Sequence, residues 1–161
     1  MKVKDIMRST VICCRPESNL AEAADLLWSS DCGVLPVVDT AGTVKGIITD
    51  RDICVAVGSR NRAPAEIVVK DVASSEVSTC KGEDDIRFAL DIMRVNLVRR
   101  LPVLDGDGRL QGILSLDDII ISAESASGIR KPKLSYEEVM PVLKAICQRH
   151  ALPVSEPVFT V

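Results

Sequence analysis

Leu35-Pro36-Val37-Val38-Asp39, followed by Gly46-Ile47-Ile48-Thr49-Asp50-Arg51-Asp52-Ile53, recurs 66 positions later in the chain. The second copy reads Leu101-Pro102-Val103-Leu104-Asp105 and Gly112-Ile113-Leu114-Ser115-Leu116-Asp117-Asp118-Ile119. Extended outward, Val3–Ile53 lies on Val69–Ile119 without a gap, and 18 of the 51 aligned pairs are identical. Both copies open on the same tripeptide, Val3-Lys4-Asp5 and Val69-Lys70-Asp71. A solenoid needs three or more stacked units. Two copies point instead to one paired module.

Each copy carries the same order of local signals. Val11–Cys14 and Val77–Cys80 are short β-branched and Cys-rich runs that predict strands. Ser18-Asn19 and Asp84-Asp85 are helix-start residues. Behind them, Leu20, Ala23, Ala24 and Leu27, and then Ile86, Ala89, Leu90 and Met93, form an apolar stripe at helical spacing. Two further apolar runs follow, Leu35–Val38 with Val44–Ile48 and Leu101–Leu104 with Leu110–Leu114. The Asp- and Gly-bearing segments between them predict hairpins. A second helix starts after Thr49 or Ser115. The expected fold class is α/β: two β-α-β-β-α repeats packed with pseudo-two-fold symmetry, because a lone three-stranded unit leaves a face uncovered. The expected division is 1–58 and 69–124 for the repeats, 59–68 for a linker bearing Ser, Arg, Asn and Pro, and 125–161 for a C-terminal tail. Within that tail, Ser135-Tyr136-Glu137-Glu138 matches a capping box opening a helix near 136–149. Pro141 is expected to kink or shorten it.

Composition narrows the function. The 161 residues are 47% hydrophobic and 27% charged, with a net charge of −3, which places the chain among ordinary globular proteins. Its acidic balance argues against duplex-DNA binding, so nucleic acid is not an expected partner. The apolar runs fall well short of the ~20 residues that span a bilayer, and no secretory signal is visible. A cytoplasmic location without membrane association is expected. The six cysteines, at 13, 14, 32, 54, 80 and 147, form no Cys-x-x-Cys pair and read as buried small hydrophobes, with no metal site. One histidine, His150 in the tail, leaves no evident nucleophile–base pair, so an intrinsic enzyme is not expected.

The chemistry concentrates where the second helix of each copy begins. Gly46-x-x-Thr49-x-x-Asp52 puts a hydroxyl at a strand-to-helix junction and a carboxylate one turn into the helix. Gly112-x-x-Ser115-x-x-Asp118 repeats it. A nucleoside needs a carboxylate for its ribose hydroxyls, and the helix start favours an anion through its unpaired N–H groups. Gly46 is expected to let a ligand approach the backbone. The alternative is purely structural, since Ser/Thr-x-x-Asp is also the spacing of a capping box. Arg51 lies inside the first motif. Arg99 and Arg100 precede the second Leu-Pro-Val strand, where the first copy has Gly33-Val34, so one cleft should suit phosphate better than the other.

The repeated Lys-Asp opening, the Leu-Pro-Val-Val-Asp strand and the closing Gly-Ile-Ile-Thr-Asp-Arg-Asp-Ile resemble the cystathionine β-synthase (CBS) domain. Two copies together resemble a CBS pair, or Bateman module. That resemblance, over about residues 3–122, implies a dimer of pairs and sensing of adenosine-containing ligands. No cofactor is required. The regulatory ligand would be AMP, ATP, NADH or S-adenosylmethionine, with an unidentified protein partner modulated in response. It further implies phosphate contacts at Arg99 and Arg100, and adenine flanked by the backbone around Val11, Val77, Val34-Leu35 and Arg100-Leu101. Ile6, Met7 and Ile48 would sandwich the ring. The competing expectation is an architectural dimerisation or docking module with no ligand.

Overall fold

A computed structural model describes residues 1–126 and 132–148. Residues 127–131 and 149–161 lie outside the described part, and with them part of the expected C-terminal tail, including His150. The first repeat contains α1 (Leu20–Ser29), β1 (Val34–Val38), β2 (Val44–Thr49) and α2 (Asp50–Arg60). The second contains β3 (Cys80–Lys81), α3 (Ile86–Asn96), β4 (Arg100–Leu104), β5 (Leu110–Ser115) and α4 (Leu116–Ser122), followed by α5 (Tyr136–Gln148).

The local chemistry forms the helix caps and hairpins as expected. Asn19 Oδ1 caps α1 by accepting from the Glu22 N–H at 3.0 Å, and Asp85 caps α3 through the Arg87 N–H at 2.9 Å. In the hairpins, Asp39 Oδ1 accepts from the N–H groups of Ala41 and Thr43, and Asp105 Oδ1 from those of Asp107 and Arg109. The turns close on Gly42 and Gly108 at φ of 85° and 79°, a left-handed conformation that disfavours a Cβ. β1 and β2 pair antiparallel with Leu35 opposite Ile48, and β4 and β5 match them with Leu101 opposite Leu114.

The expected leading strands are shorter than their apolar runs. Of Val11–Cys14, only Cys14 pairs, donating to the Pro36 carbonyl and accepting from the Val38 N–H. Of Val77–Cys80, only Cys80 lies in a strand, parallel to β4. The reason is tertiary. Arg8 pairs with Ile113 of the second sheet and Ser74 with Ile47 of the first. Between Arg8 and Cys14, and between Ser74 and Cys80, the chain therefore crosses from one sheet to the other.

That crossing defines the molecule. The opening Val-Lys-Asp of each repeat packs in the other repeat. The Val3 N–H donates to the Asp84 carbonyl and the Lys4 N–H to the Gly82 carbonyl. Their counterparts, Val69 and Lys70, donate to Ser18 and Pro16, so the bonds obey the 66-residue shift. Val3, wholly buried, joins a core with Ile86, Met93, Leu101, Leu114 and Ile119. Val69 and Ile67 join the other core with Leu20, Leu35, Ile48 and Ile53. Sequence units and packed units therefore differ at their first residues.

α5 completes only the second core. Val139, Val142 and Ile146 are buried there as α5 packs on α3 and α4. The helix runs through Pro141 to Gln148 instead of stopping short. Pro141 sits in its second turn, and burial of the stripe on both sides of it offsets the lost hydrogen bond. Four of the cysteines are buried or half-buried as expected, but Cys54 and Cys147 are exposed on helix surfaces. Burial pushes the Cys14 thiol up to about 11 and that of Cys80 to about 12, which leaves both as unreactive hydrophobes.

Burying a valine side chain is worth about 2 kcal/mol. Val3→Ala and Val69→Ala are each expected to lower unfolding free energy by about that much in a urea titration, although Val3 is two residues from the chain start. Losses below about 0.5 kcal/mol, the usual range for surface positions, would contradict the exchanged packing.

Candidate functional site

Both helix starts form closed capping boxes. Thr49 Oγ1 accepts from the Asp52 N–H at 3.2 Å, while Asp52 Oδ2 accepts from the Thr49 N–H at 2.9 Å and its hydroxyl at 2.7 Å. The second copy is the same: Ser115 Oγ accepts from the Asp118 N–H at 3.0 Å, and Asp118 Oδ2 accepts from the Ser115 N–H at 3.1 Å and from its hydroxyl. The capping reading is therefore correct as far as it goes. It uses one carboxylate oxygen of each aspartate, and an ionised carboxylate has a second with its own lone pairs. The Asp118 Oδ1 accepts from Arg8 Nε at 3.0 Å. Asp52 has no cationic partner among the described residues, because its repeat places Ser74 where the other places Arg8.

Among the described residues the space between the repeats holds several clefts, two of them at the helix starts. One, of about 270 Å³, is lined by Ser115, Asp117 and Asp118 from the start of α4, by Arg8 and Val11 from the crossing segment, by 30–34 ahead of β1, and by Arg100. The other, of about 430 Å³, is lined by Thr49, Asp50 and Arg51 from the start of α2, by 97–100 ahead of β4, and by Val34 and Ile146. The shift of 66 maps most of one wall onto the other. Each cleft thus joins the helix start of one repeat to the strand entrance of its partner repeat.

The sequence-derived residues distribute as follows. Thr49, Arg51, Arg99 and Arg100 meet in one cleft, and Val11, Val34, Arg100, Ser115 and Asp118 in the other. Three arginines thus share a cleft with Thr49, the asymmetry of charge that the second repeat's Arg99 and Arg100 implied. Asp52 is half-buried beneath Thr49 and is not among the lining residues of that cleft. Val77, half-buried, is likewise absent from its wall. Leu35 and Leu101 are wholly buried in the two cores, so only their backbone remains for a ligand. Ile48 is also core and cannot stack on a ring; Ile6 and Met7 pack against the second core.

Gly46 and Gly112 also need a different account from the one their motif implies. A Cβ on Gly46 would stand 3.0 Å from the Ser74 carbonyl oxygen, and one on Gly112 would stand 2.8 Å from that of Arg8. These glycines admit the crossing segment. The ligand is not what requires them. Residues missed in the sequence are Arg8, Asp31, Asp50 and Asp117. Asp117 shares its repeat position with Arg51 and was findable by register. Arg8 was not, because only the crossing brings it to Asp118.

Burial alone would raise the Asp118 carboxyl, but hydrogen bonds from Ser115 and Arg8 outweigh it and hold the group below the usual carboxylate range. Among the described residues, no group of three or more His, Cys, Asp or Glu could hold a metal ion, and no helix is long and apolar enough to cross a membrane.

Comparison with known proteins identifies the family of this fold. The family model of the CBS domain matches residues 3–59 and 69–124, and the chain belongs to that family as a CBS pair. It is 30% identical over 139 residues to the CBS domain-containing protein YhcV of Bacillus subtilis, covering 85% of this chain and 97% of that one. It is 30% identical over 120 residues to the uncharacterized protein MK0525 of Methanopyrus kandleri, covering 74% of this chain and 61% of that one. Against the inosine-5′-monophosphate dehydrogenase of Methanocaldococcus jannaschii it is 34% identical over 119 residues, 74% of this chain but 23% of that enzyme. Among solved structures, the CBS pair of protein MJ0100 in complex with 5′-methylthioadenosine and S-adenosyl-L-methionine superposes with a TM-score of 0.68 at 26% identity, covering 75% of this chain and 94% of that one. CBSX2 in complex with AMP gives 0.66 at 25% identity, covering 74% and 93%.

Two substitutions test the geometry. Gly112→Ala is expected to cost about 1–3 kcal/mol by overpacking against the Arg8 backbone, read as a drop in urea midpoint, and Gly46→Ala less. Because the Asp118 carboxyl is lowered in the folded state, its contribution to stability is present above the unfolded value near ~3.9 and is lost as pH falls below it. Asp118→Asn should flatten that acid limb in unfolding curves taken from neutral pH downward. An unchanged limb would show that Arg8 and Ser115 do not engage the charge.

Proposed function

We propose that this CBS pair is a regulatory sensor that takes up adenosine-containing ligands, such as AMP or ATP, in the two clefts between its repeats. The observation that carries the reading is that both clefts are open and each presents a hydroxyl-capped helix start to the strand entrance of the other repeat. The complexes of MJ0100 with 5′-methylthioadenosine and S-adenosyl-L-methionine and of CBSX2 with AMP support it. A bound ligand touches both repeats, so it favours whichever relative arrangement it binds better. The readout passes to a protein partner; the chain acts as a cytoplasmic homodimer and not as an enzyme. Ser115 and Asp118 hold the ribose in one cleft, while Thr49, Arg51, Arg99 and Arg100 meet the anionic end in the other.

A second reading, an architectural module without ligand, is favoured by the closed capping boxes and by a bare groove of about 500 Å³ between α1 and α2. Trp28 stands 88% exposed there, whereas the matching face of the second repeat is covered by α5.

Titration calorimetry and thermal unfolding with AMP, ATP, NADH and S-adenosylmethionine separate the two. A true ligand at a hundredfold excess over its Kd stabilises by about 2.7 kcal/mol, a rise of roughly 5–10 °C in Tm for a chain of this size. Silence from all four with the fold intact, together with a concentration-dependent dimer that Trp28→Glu dissolves, would leave only the architectural role.

A further inference from the structure

The two clefts match in position and differ in charge. Under the 66-residue shift, Arg51 corresponds to Asp117, Arg99 to Gly33, and Arg100 to Val34. The Thr49 cleft is consequently lined by Arg51, Arg99 and Arg100 against a single carboxylate, Asp50. The Ser115 cleft is lined by Arg8 and Arg100 against Asp31, Asp117 and Asp118. Arg8 is already engaged there, its Nε 3.0 Å from Asp118 Oδ1. Arg100 is the one charged residue that lines both clefts among the described residues, and its twin Val34 brings no second guanidinium to the pseudo-axis. One guanidinium serves two clefts, and it can turn toward only one anion at a time.

We propose that the clefts sort ligands by charge: the Thr49 cleft takes an adenosine bearing a 5′-phosphate, and the Ser115 cleft takes an adenosine without one. This rests on the reading of both clefts as adenosine sites. Phosphate carries about −1.5 to −2 charge and three acceptor oxygens, which suit the forked donors of Arg51, Arg99 and Arg100. In the other cleft the same group meets the uncompensated carboxylates of Asp31 and Asp117. A phosphate in the Thr49 cleft also draws Arg100 to its side, leaving the Ser115 cleft more acidic still and better suited to a neutral or cationic ligand.

AMP and adenosine, which differ only in the phosphate, are the probes. Calorimetry on the full chain is expected to give one AMP site per chain, and adenosine should still bind one site on AMP-saturated protein. Arg51→Asp is expected to weaken AMP by about tenfold or more, the effect of losing a charge-assisted bond. Asp118→Asn should remove the adenosine site while leaving AMP at one per chain. The decisive variant is Asp117→Arg, an exposed position whose change copies Arg51 and leaves the packing alone. It is expected to raise AMP stoichiometry from one to two. Two equal AMP sites in the unaltered protein, or adenosine excluded once AMP is bound, would overturn the sorting while leaving the sensor reading in place. If neither probe binds and circular dichroism shows the fold intact, the sensor reading falls and the sorting with it.

Discussion

The exchange of the two Val-Lys-Asp segments is the constraint from which the rest follows. Each segment completes the core of the repeat it does not belong to, with Val3 under Ile86 and Val69 beside Leu20. Neither repeat closes its core without a segment of the other. The same exchange decides the lengths of the leading strands, because a chain that must cross between sheets cannot stay paired in either. It also decides why Gly46 and Gly112 stand where they do, since the crossing backbone comes within reach of any Cβ there. It carries Arg8 to Asp118 and so sets the electrostatics of one cleft.

Capping engages one carboxylate oxygen of each aspartate and leaves the other available to a second partner. A helix start must satisfy its first N–H groups, and Thr49 with Asp52, like Ser115 with Asp118, does this reciprocally. The box fixes the rotamers of both side chains, so that the second carboxylate oxygen is held in one place. Preorganisation of this kind lowers the ordering cost of binding. The two boxes differ in what lies beside them: Asp118 stands in a cleft wall with Arg8 on its second oxygen, whereas Asp52 stays off the wall of the Thr49 cleft.

Duplication supplies two such places, and divergence within the repeat separates them. Identity is kept where cores and turns demand it, at Leu35-Pro36-Val37, Gly46 and Asp52 and their partners. It is lost at the cleft walls, where Arg51 faces Asp117 and Gly33 faces Arg99 across the alignment. α5 adds a further asymmetry. It seals the helix face of the second repeat, reaches the wall of the Thr49 cleft through Ile146, and leaves the face bearing Trp28 open.

Much of this was legible in the chain of residues alone: the repeat, the caps at Asn19 and Asp85, the Asp-Gly hairpins, the Thr49 and Ser115 junctions, and the arginines ahead of Leu101. These depend on neighbours a few positions away or on self-similarity, and local hydrogen bonding and side-chain periodicity determine them. What only the tertiary structure decided are the relations between distant residues. That Val3 belongs to the second core, that Gly112 makes room for Arg8, that Arg8 reaches Asp118, and that Arg99 shares a cleft with Thr49 all follow from the two crossings of the chain. No local spacing encodes them, because the partners stand 50 or more positions apart and meet only when two incomplete cores close on each other.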